Sequence, residues 1–238
     1  MARQWLMLFV IVAIAVTASM FFLDVPAIQF MPPRGSAALF PVRIFTEFAK
    51  SEFVLAALAF ALVASALILR RLSNQQRLAL SSLGIRLEYV FFSALVARII
   101  GELIKVTVGR GRPFVGGAAN AYNFSPFAGT EAFASFPSGH ALTAFAMAFA
   151  ISALWPRLGI AMWAFAILIC VSRVVLLAHH PSDVIAGALV GVVGAMAVRY
   201  WFAARRLGFK ITNDGAIVPL HGPSWNALKR VAREPSAP

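Results

Sequence analysis

The sequence predicts an all-α integral membrane protein: a six-transmembrane-helix bundle with its active site at the periplasmic, outer face. Three observations predict it. Of 238 residues, 61% are hydrophobic and 13% are charged, with a mean hydropathy of +0.82; soluble domains carry about 25% charged residues. Six apolar runs approach the roughly 20 residues needed to cross a hydrocarbon core of about 30 Å. The basic residues between those runs fall mostly on one side.

The runs are Trp5–Leu23, Phe53–Leu69, Leu87–Ile104, Ser138–Trp155, Leu158–Leu177 and Val184–Phe202. Backbone groups in lipid must be satisfied within the segment, so each run is expected to be a helix. The first is long for a signal-peptide core and lacks a clear small-residue cleavage site, which favours a retained anchor. Threading the runs through a membrane places thirteen Lys and Arg on the side of the termini and seven on the other, with Arg98 inside the third run. The positive-inside bias then puts both termini in the cytoplasm of an inner (plasma) membrane. Segments 24–52, 105–137 and 178–183 lie outside. This bias accounts for most of the net charge of +12 without nucleic acid as a partner. Cys170, the single cysteine, reads as a small packing residue.

Within the first outer segment, LFPVRIFTEFAK (39–50) places Phe40, Ile44, Phe45 and Phe48 near one face, and Arg43, Glu47 and Lys50 on another. Two readings stand: an amphipathic helix in the headgroup layer, or a helix packed on the bundle. The link 114–136 holds six aromatics, Phe114, Tyr122, Phe124, Phe127, Phe133 and Phe136, beside Gly116-Gly117. It is expected to be either a mobile, lipid-facing cap or an ordered loop. Residues 1–202 form the membrane domain, with a core of 85–202, and 203–238 a basic cytoplasmic tail. The tail carries an NDG turn at Asn213–Gly215 and a basic stretch, SWNALKRVAR; it is expected either to touch anionic lipid or to be mobile.

Three polar clusters lie at the outer ends of the last four runs: KVTVGRGRP (105–113), FPSGH (136–140) and SRVVLLAHHPSD (172–183). Topology brings all three to one face. Lys105, Arg110, Arg112 and Arg173 are costly near hydrocarbon unless paired or solvated. Snorkelling explains any one of them; four around two histidines point to an anion. Three or four cations exceed what one carboxylate needs, and the arginine fork suits phosphoryl oxygens. Ser138 stands where an N-cap belongs, Gly139 permits close approach to the main chain, and Pro181 suits the first turn of the last helix. Helix N-termini favour anions.

Asp183 follows His179 by four residues, a separation at which a carboxylate can reach an imidazole, fix its tautomer and leave the other nitrogen free to attack. His140 is placed to protonate a departing oxygen. His180, beside Pro181, is expected to cap the helix or to face headgroups or solvent. Arg98, Glu102 and Lys105 share a helical face at i, i+4 and i+7; Arg98 and Glu102 are expected to neutralise each other, with Glu102 steadying Lys105. His140, His179, His180 and Asp183 contain zinc-type donors, but the surrounding cations would repel a dication, so no metal and no cofactor is expected.

These residues resemble the type 2 phosphatidic acid phosphatase superfamily of membrane lipid phosphatases, related to vanadium haloperoxidases. Its pattern is K-x6-R-P, then P-S-G-H, then S-R-x5-H-x3-D. Here that is Lys105…Arg112-Pro113, Pro137-Ser138-Gly139-His140 and Ser172-Arg173…His179…Asp183, with all eleven specified positions present in order. The resemblance covers about residues 85–202. It implies that Lys105, Arg112 and Arg173 hold phosphate oxygens and that Ser138 and Gly139 add donors. It further implies that His179 is the nucleophile forming a phosphohistidine, oriented by Asp183, and that His140 protonates the leaving alkoxide. No metal is implied, since fixed cations stabilise the charge. Arg110 lies outside the pattern, free to meet a second phosphate or headgroup or to face solvent.

The expected activity is hydrolysis of a phosphate monoester or diphosphate on a lipid: phosphatidate, phosphatidylglycerophosphate, a polyprenyl diphosphate or a lipid A phosphate. The partners are then the lipid phosphate substrate and membrane lipids; the sequence does not state an oligomeric state. One alternative is phosphotransfer from the same phosphohistidine to a hydroxyl acceptor. Another is a non-enzymatic anion or lipid transporter, which would tolerate loss of His179 and leaves the His–Asp spacing unexplained.

Overall fold

A computed structural model describes residues 2–220 and 222. Eight α-helices dominate: α1 (Ala2–Phe22), α2 (Asp24–Phe30), α3 (Phe40–Glu47), α4 (Ser51–Leu69), α5 (Asn74–Val108), α6 (Gly139–Leu154), α7 (Gly159–Val175) and α8 (Pro181–Ala204). Each of the six apolar runs falls on a helix, to within a residue or two at its ends. The segment Ala37–Leu69, together with Pro156–Val175 and α8, is long and apolar enough to cross a membrane; α1 with α2 forms a fourth, bent candidate.

Sequence reading missed the bend, which measures 55°. Pro26 has no N–H to continue the helical ladder, and proline is a common cause of sharp kinks. Asp24, at the bend, turns its carboxylate into the bundle. The side chain of Asp24 is fully buried.

At the centre, α8 packs on α5 and α6, α6 on α7, α4 on α5, and α1 leans on α8. The contact is close because α8 carries glycines on its inner side. A Cβ at Gly187 would come within 2.6 Å of the Ser138 carbonyl oxygen, and one at Gly194 within 3.0 Å of Ala97 Cα. Small residues let helix backbones approach in this way. Thus Gly187 sets the distance between the start of α8 and the start of α6, where two of the polar clusters sit.

The first outer segment combines the two readings made for it. On α3, Phe45 meets Phe165 of α7 edge-on at 5.8 Å and Thr46 is buried, while Phe40, Ile44 and Phe48 form an exposed apolar stripe. The 114–136 link is an ordered loop. Its backbone is tied to the end of α5: Gly111 N–H donates to Asn123 O, Ser125 N–H to Gly109 O, and Phe127 N–H to Val106 O. Gly109 ends α5 at φ +55, where any Cβ would overlap the Ser125 carbonyl. Phe114, Tyr122, Phe124 and Phe127 keep exposed faces.

The NDG turn closes a two-stranded antiparallel hairpin of β1 (Phe209–Ile211) and β2 (Ile217–Pro219). It is docked rather than free: Phe209 is buried against Tyr89 at 4.8 Å. The basic stretch SWNALKRVAR lies outside the described residues.

Candidate active site

The three polar clusters converge. α5 delivers Lys105 near its C-terminus, and the loop after it delivers Arg110 and Arg112. The N-terminus of α6 delivers Ser138, Gly139 and His140. Arg173 comes from the last turn of α7, and His179 and His180 lead into α8. A Cβ at Gly139 would stand 3.3 Å from Arg98 Nη1 and 3.8 Å from Lys105 Nζ, so cations from α5 sit over the first turn of α6.

Arg98 forms an ion pair with Glu102, as its spacing requires, and a second with Glu52 at 3.2 Å. Lys105 Nζ donates to the same Glu102 oxygen at 2.6 Å. Glu102 therefore braces both cations beside Gly139.

Ser138 occupies the N-cap position of α6, but its hydroxyl makes no capping bond. Its N–H donates to the Asp183 carbonyl oxygen at 3.0 Å, locking α6 to α8. The hydroxyl itself is buried and unpartnered. Among the described residues, seven buried side-chain polar atoms lack a hydrogen-bond partner, and Ser138 Oγ, His140 Nε2, Arg112 Nε and Arg173 Nε are four of them. Native structures leave few such groups unsatisfied. A cluster of them on the residues named from sequence is a set of donors and acceptors available to a ligand.

The outer ends of the two arginines are held. Arg112 Nη2 meets Glu131 at 2.7 Å, and Arg173 Nη1 donates to Thr46 Oγ1 at 3.0 Å. Thr46 is a positioning partner that sequence reading missed, 127 residues away in the chain.

His179 is buried, and its Nδ1 lies 2.8 Å from the Ser135 carbonyl oxygen. A carbonyl only accepts, so Nδ1 carries the proton and Nε2 keeps its lone pair. Burial holds the His179 imidazole well below its ordinary pKa; Arg173, Arg112 and His140 push the same way, and Asp183 opposes them.

This geometry corrects the expectation that Asp183 bonds His179 directly. The Asp183 carboxylate is 3.9 Å from His179 Nδ1, beyond hydrogen-bond reach. It accepts instead from Ser135 Oγ at 2.6 Å and from the His180 N–H at 2.8 Å, and it meets Arg110 Nη1 at 2.6 Å. Asp183 thus acts on His179 through Ser135, whose carbonyl holds the ring. The same bonds define His180: it is the N-cap of α8, as expected, but it is fully buried, not turned to headgroup or solvent.

Arg110 is the second correction. It faces neither a ligand nor solvent, and its side chain is 1% exposed. It bridges Asp183 and Asp24, the latter at 2.7 Å, and donates to Ser182 Oγ and to the Ala121 carbonyl. Asp24 also accepts from the Ser182 N–H at 2.9 Å. The only sequence signal for this network was an acid standing alone at the end of the first apolar run. Arg34 and Arg43, which lie outside the sequence motifs, line a pocket of about 360 Å³ together with Thr46, Glu47, Arg112 and Arg173.

Known proteins resemble this chain over more than half of its length. A protein of Rhizobium johnstonii named lipid A 1-phosphatase is 37% identical over 161 residues, 68% of this chain and 61% of that one. One of Rhizobium etli with the same name is 37% identical over 143 residues, 60% of each chain. The chain thus spans about three-fifths of the length of these curated relatives. A solved structure, the first transmembrane PAP2 type phosphatidylglycerolphosphate phosphatase from Bacillus subtilis, matches 84% of this chain and 94% of that one, at 19% identity and a TM-score of 0.48. The family model for the PAP2 superfamily matches residues 86–207. That stretch holds all three motifs, from Lys105 to Asp183, and the chain belongs to the PAP2 superfamily.

Proposed function

We propose that the protein is a membrane lipid phosphatase that works through a phosphohistidine, with no metal required. The observation that carries this reading is the set of buried, unpartnered polar atoms on Arg112, Ser138, His140 and Arg173, with a His179 whose Nδ1 is held by the Ser135 carbonyl. In this proposal Lys105, Arg112 and Arg173 bind the non-bridging oxygens, joined by the Ser138 hydroxyl and the Gly139 amide at the start of α6. The His179 Nε2 lone pair attacks phosphorus, forming the N–P bond as the bond to the ester oxygen breaks. His140 gives its proton to the departing oxygen. A water then loses a proton to His140 and attacks phosphorus, the N–P bond breaks, and phosphate leaves with His179 and His140 restored. His179 keeps its Nδ1 proton on the Ser135 carbonyl throughout. Fixed cations beside the phosphoryl group stabilise charge that builds in the transition state, the main requirement of phosphoryl transfer.

The fold proposed for this activity has six spans, both termini in the cytoplasm and the site on the outer face of the inner membrane. Residues 1–202 form the membrane domain and 203–238 a cytoplasmic appendage. The bias of thirteen basic residues against seven supports this orientation. Among substrates, the names of the two Rhizobium relatives favour the 1-phosphate of lipid A over the other lipid phosphates.

The test presents purified protein in detergent with a panel of lipid phosphates and follows phosphate release. Release that survives chelator, stops with vanadate and is lost in His179→Ala is the expected pattern. Loss in chelator sinks the metal-free mechanism, and vanadate insensitivity sinks the assignment of the phosphate site.

A further inference from the structure

The site holds more positive charge than one phosphoryl group uses. The pocket of about 360 Å³ is lined by the half-buried Arg112 and Arg173 and by the exposed Arg34 and Arg43, the outer pair, and its volume falls in the range of about 300–1,000 Å³ usual for small-ligand sites. Four guanidinium groups line it with one carboxylate, Glu47; Glu47 already pairs with Lys50 at 3.5 Å, and of the four arginines Arg112 alone has an acid of its own, Glu131, among the described residues.

Among the described residues, neither outer arginine pairs with an acid. Arg34 Nη2 donates to the carbonyls of Leu177, at 2.6 Å, and Pro113, at 3.2 Å. These are neutral acceptors, and they place the guanidinium between the residue after Arg112 and the segment leading to His179. A snorkelling arginine would turn toward headgroups; this one is tied inward across the chain. Arg43 donates to the Ser36 carbonyl at 3.3 Å and is otherwise exposed toward the pocket. Its helix is anchored to the site one turn later, where Thr46 Oγ1 accepts from Arg173. The outer pair is therefore held in register with the phosphate-binding pair.

We propose that Arg34 and Arg43 form a second anion subsite, which selects lipids carrying a second phosphoryl group close to the scissile one. The proposal rests on the phosphatase reading for the position of the first phosphoryl group. A monophosphate, the 1-phosphate of lipid A included, would leave the outer pair facing water; a diphosphate at the same position would engage both pairs.

The test compares kcat/KM for a lipid diphosphate with that for the matching monophosphate. Arg43→Gln is the deciding variant, because Arg43 makes one weak bond and its loss leaves the fold intact. The diphosphate-to-monophosphate ratio is expected to fall about tenfold or more, equivalent to about 1.4 kcal/mol, and Arg43→Lys is expected to restore most of it. A second arm needs no turnover: affinities for inorganic pyrophosphate and orthophosphate, measured by thermal shift on full-length protein. Pyrophosphate should bind the wild type about tenfold tighter, with the gap closing in Arg43→Gln and Arg34→Gln. Ratios unchanged within twofold in both arms overturn the subsite. Absence of all lipid-phosphate hydrolysis overturns the phosphatase reading instead, and the pyrophosphate arm still decides the subsite.

Discussion

Replacing Arg110 with Met tests the buried network directly. The Arg110 side chain is 1% exposed and its two acidic partners, Asp24 and Asp183, are fully buried, at 2.7 and 2.6 Å. Removing one partner of a buried ion pair typically costs about 3–5 kcal/mol, because the remaining charge is left uncompensated. Here one guanidinium serves two carboxylates. Each keeps some neutral donors: Ser19 and Ser182 for Asp24, and Ser135 and the His180 N–H for Asp183. Those donors moderate the penalty, so the expected loss is about 4 kcal/mol, a factor of roughly a thousand in the folding equilibrium. Arg110→Lys should lose less, since the charge stays but the fork that reaches both acids is gone. Asp24→Asn should lose least, because Arg110 retains Asp183. Unfolding in detergent micelles, followed by circular dichroism, measures the series. An Arg110→Met protein within about 1 kcal/mol of wild type would refute the reasoning that this arginine joins α1–α2 to the start of α8.

The His179 ring should stay neutral at pH 6, since burial and neighbouring cations depress its pKa; the ring 15N shifts of labelled protein would show protonation near pH 6.5 if this is wrong. The sign for stability is set by the same shift: the unfolded chain binds a proton at about pH 6.5 and the folded chain does not, so this residue withdraws stability as pH falls below that value. Gly187→Ala should lower the melting temperature and reduce phosphate release at least tenfold, because a Cβ 2.6 Å from the Ser138 oxygen must push α8 away from α6; wild-type behaviour would show that the two helix starts are not rigidly spaced. His179→Ala should be folded and inactive, while His180→Ala should be less stable yet retain turnover in the molecules that fold; equal inactivation of both folded proteins would undo the distinction between them.

Much was legible in the chain itself because the signals are local. Long apolar runs dictate helices wherever backbone groups must be satisfied internally. The Arg98–Glu102–Lys105 face follows from helical spacing alone, and the structure pairs those three as the spacing requires. The motif residues were named by type and separation, and the three clusters expected to meet do touch, Arg110 with Asp183 and Ser138 with Asp183. The N-cap place of His180 followed from Pro181 beside it.

What only the tertiary structure decided lies between segments far apart in the chain. The spacing of Asp183 and His179 suggested a direct bond, yet the partner of His179 is the Ser135 carbonyl, 44 residues away. A sequence separation of four permits a contact but does not select it over a closer acceptor delivered by another segment. Arg110 looked like a cation free for a ligand until Asp24, 86 residues away, was brought beneath it by the bend after α1. Arg43 acquires a place near Arg112 and Arg173 because α3 docks through Thr46 onto Arg173, and Arg34 because the Leu177 and Pro113 carbonyls hold it there. Hydropathy and spacing specify which segments are helices and which residues can do chemistry; the pairing of charges depends on which helices touch, and that is set by packing details such as Gly187 against Ser138.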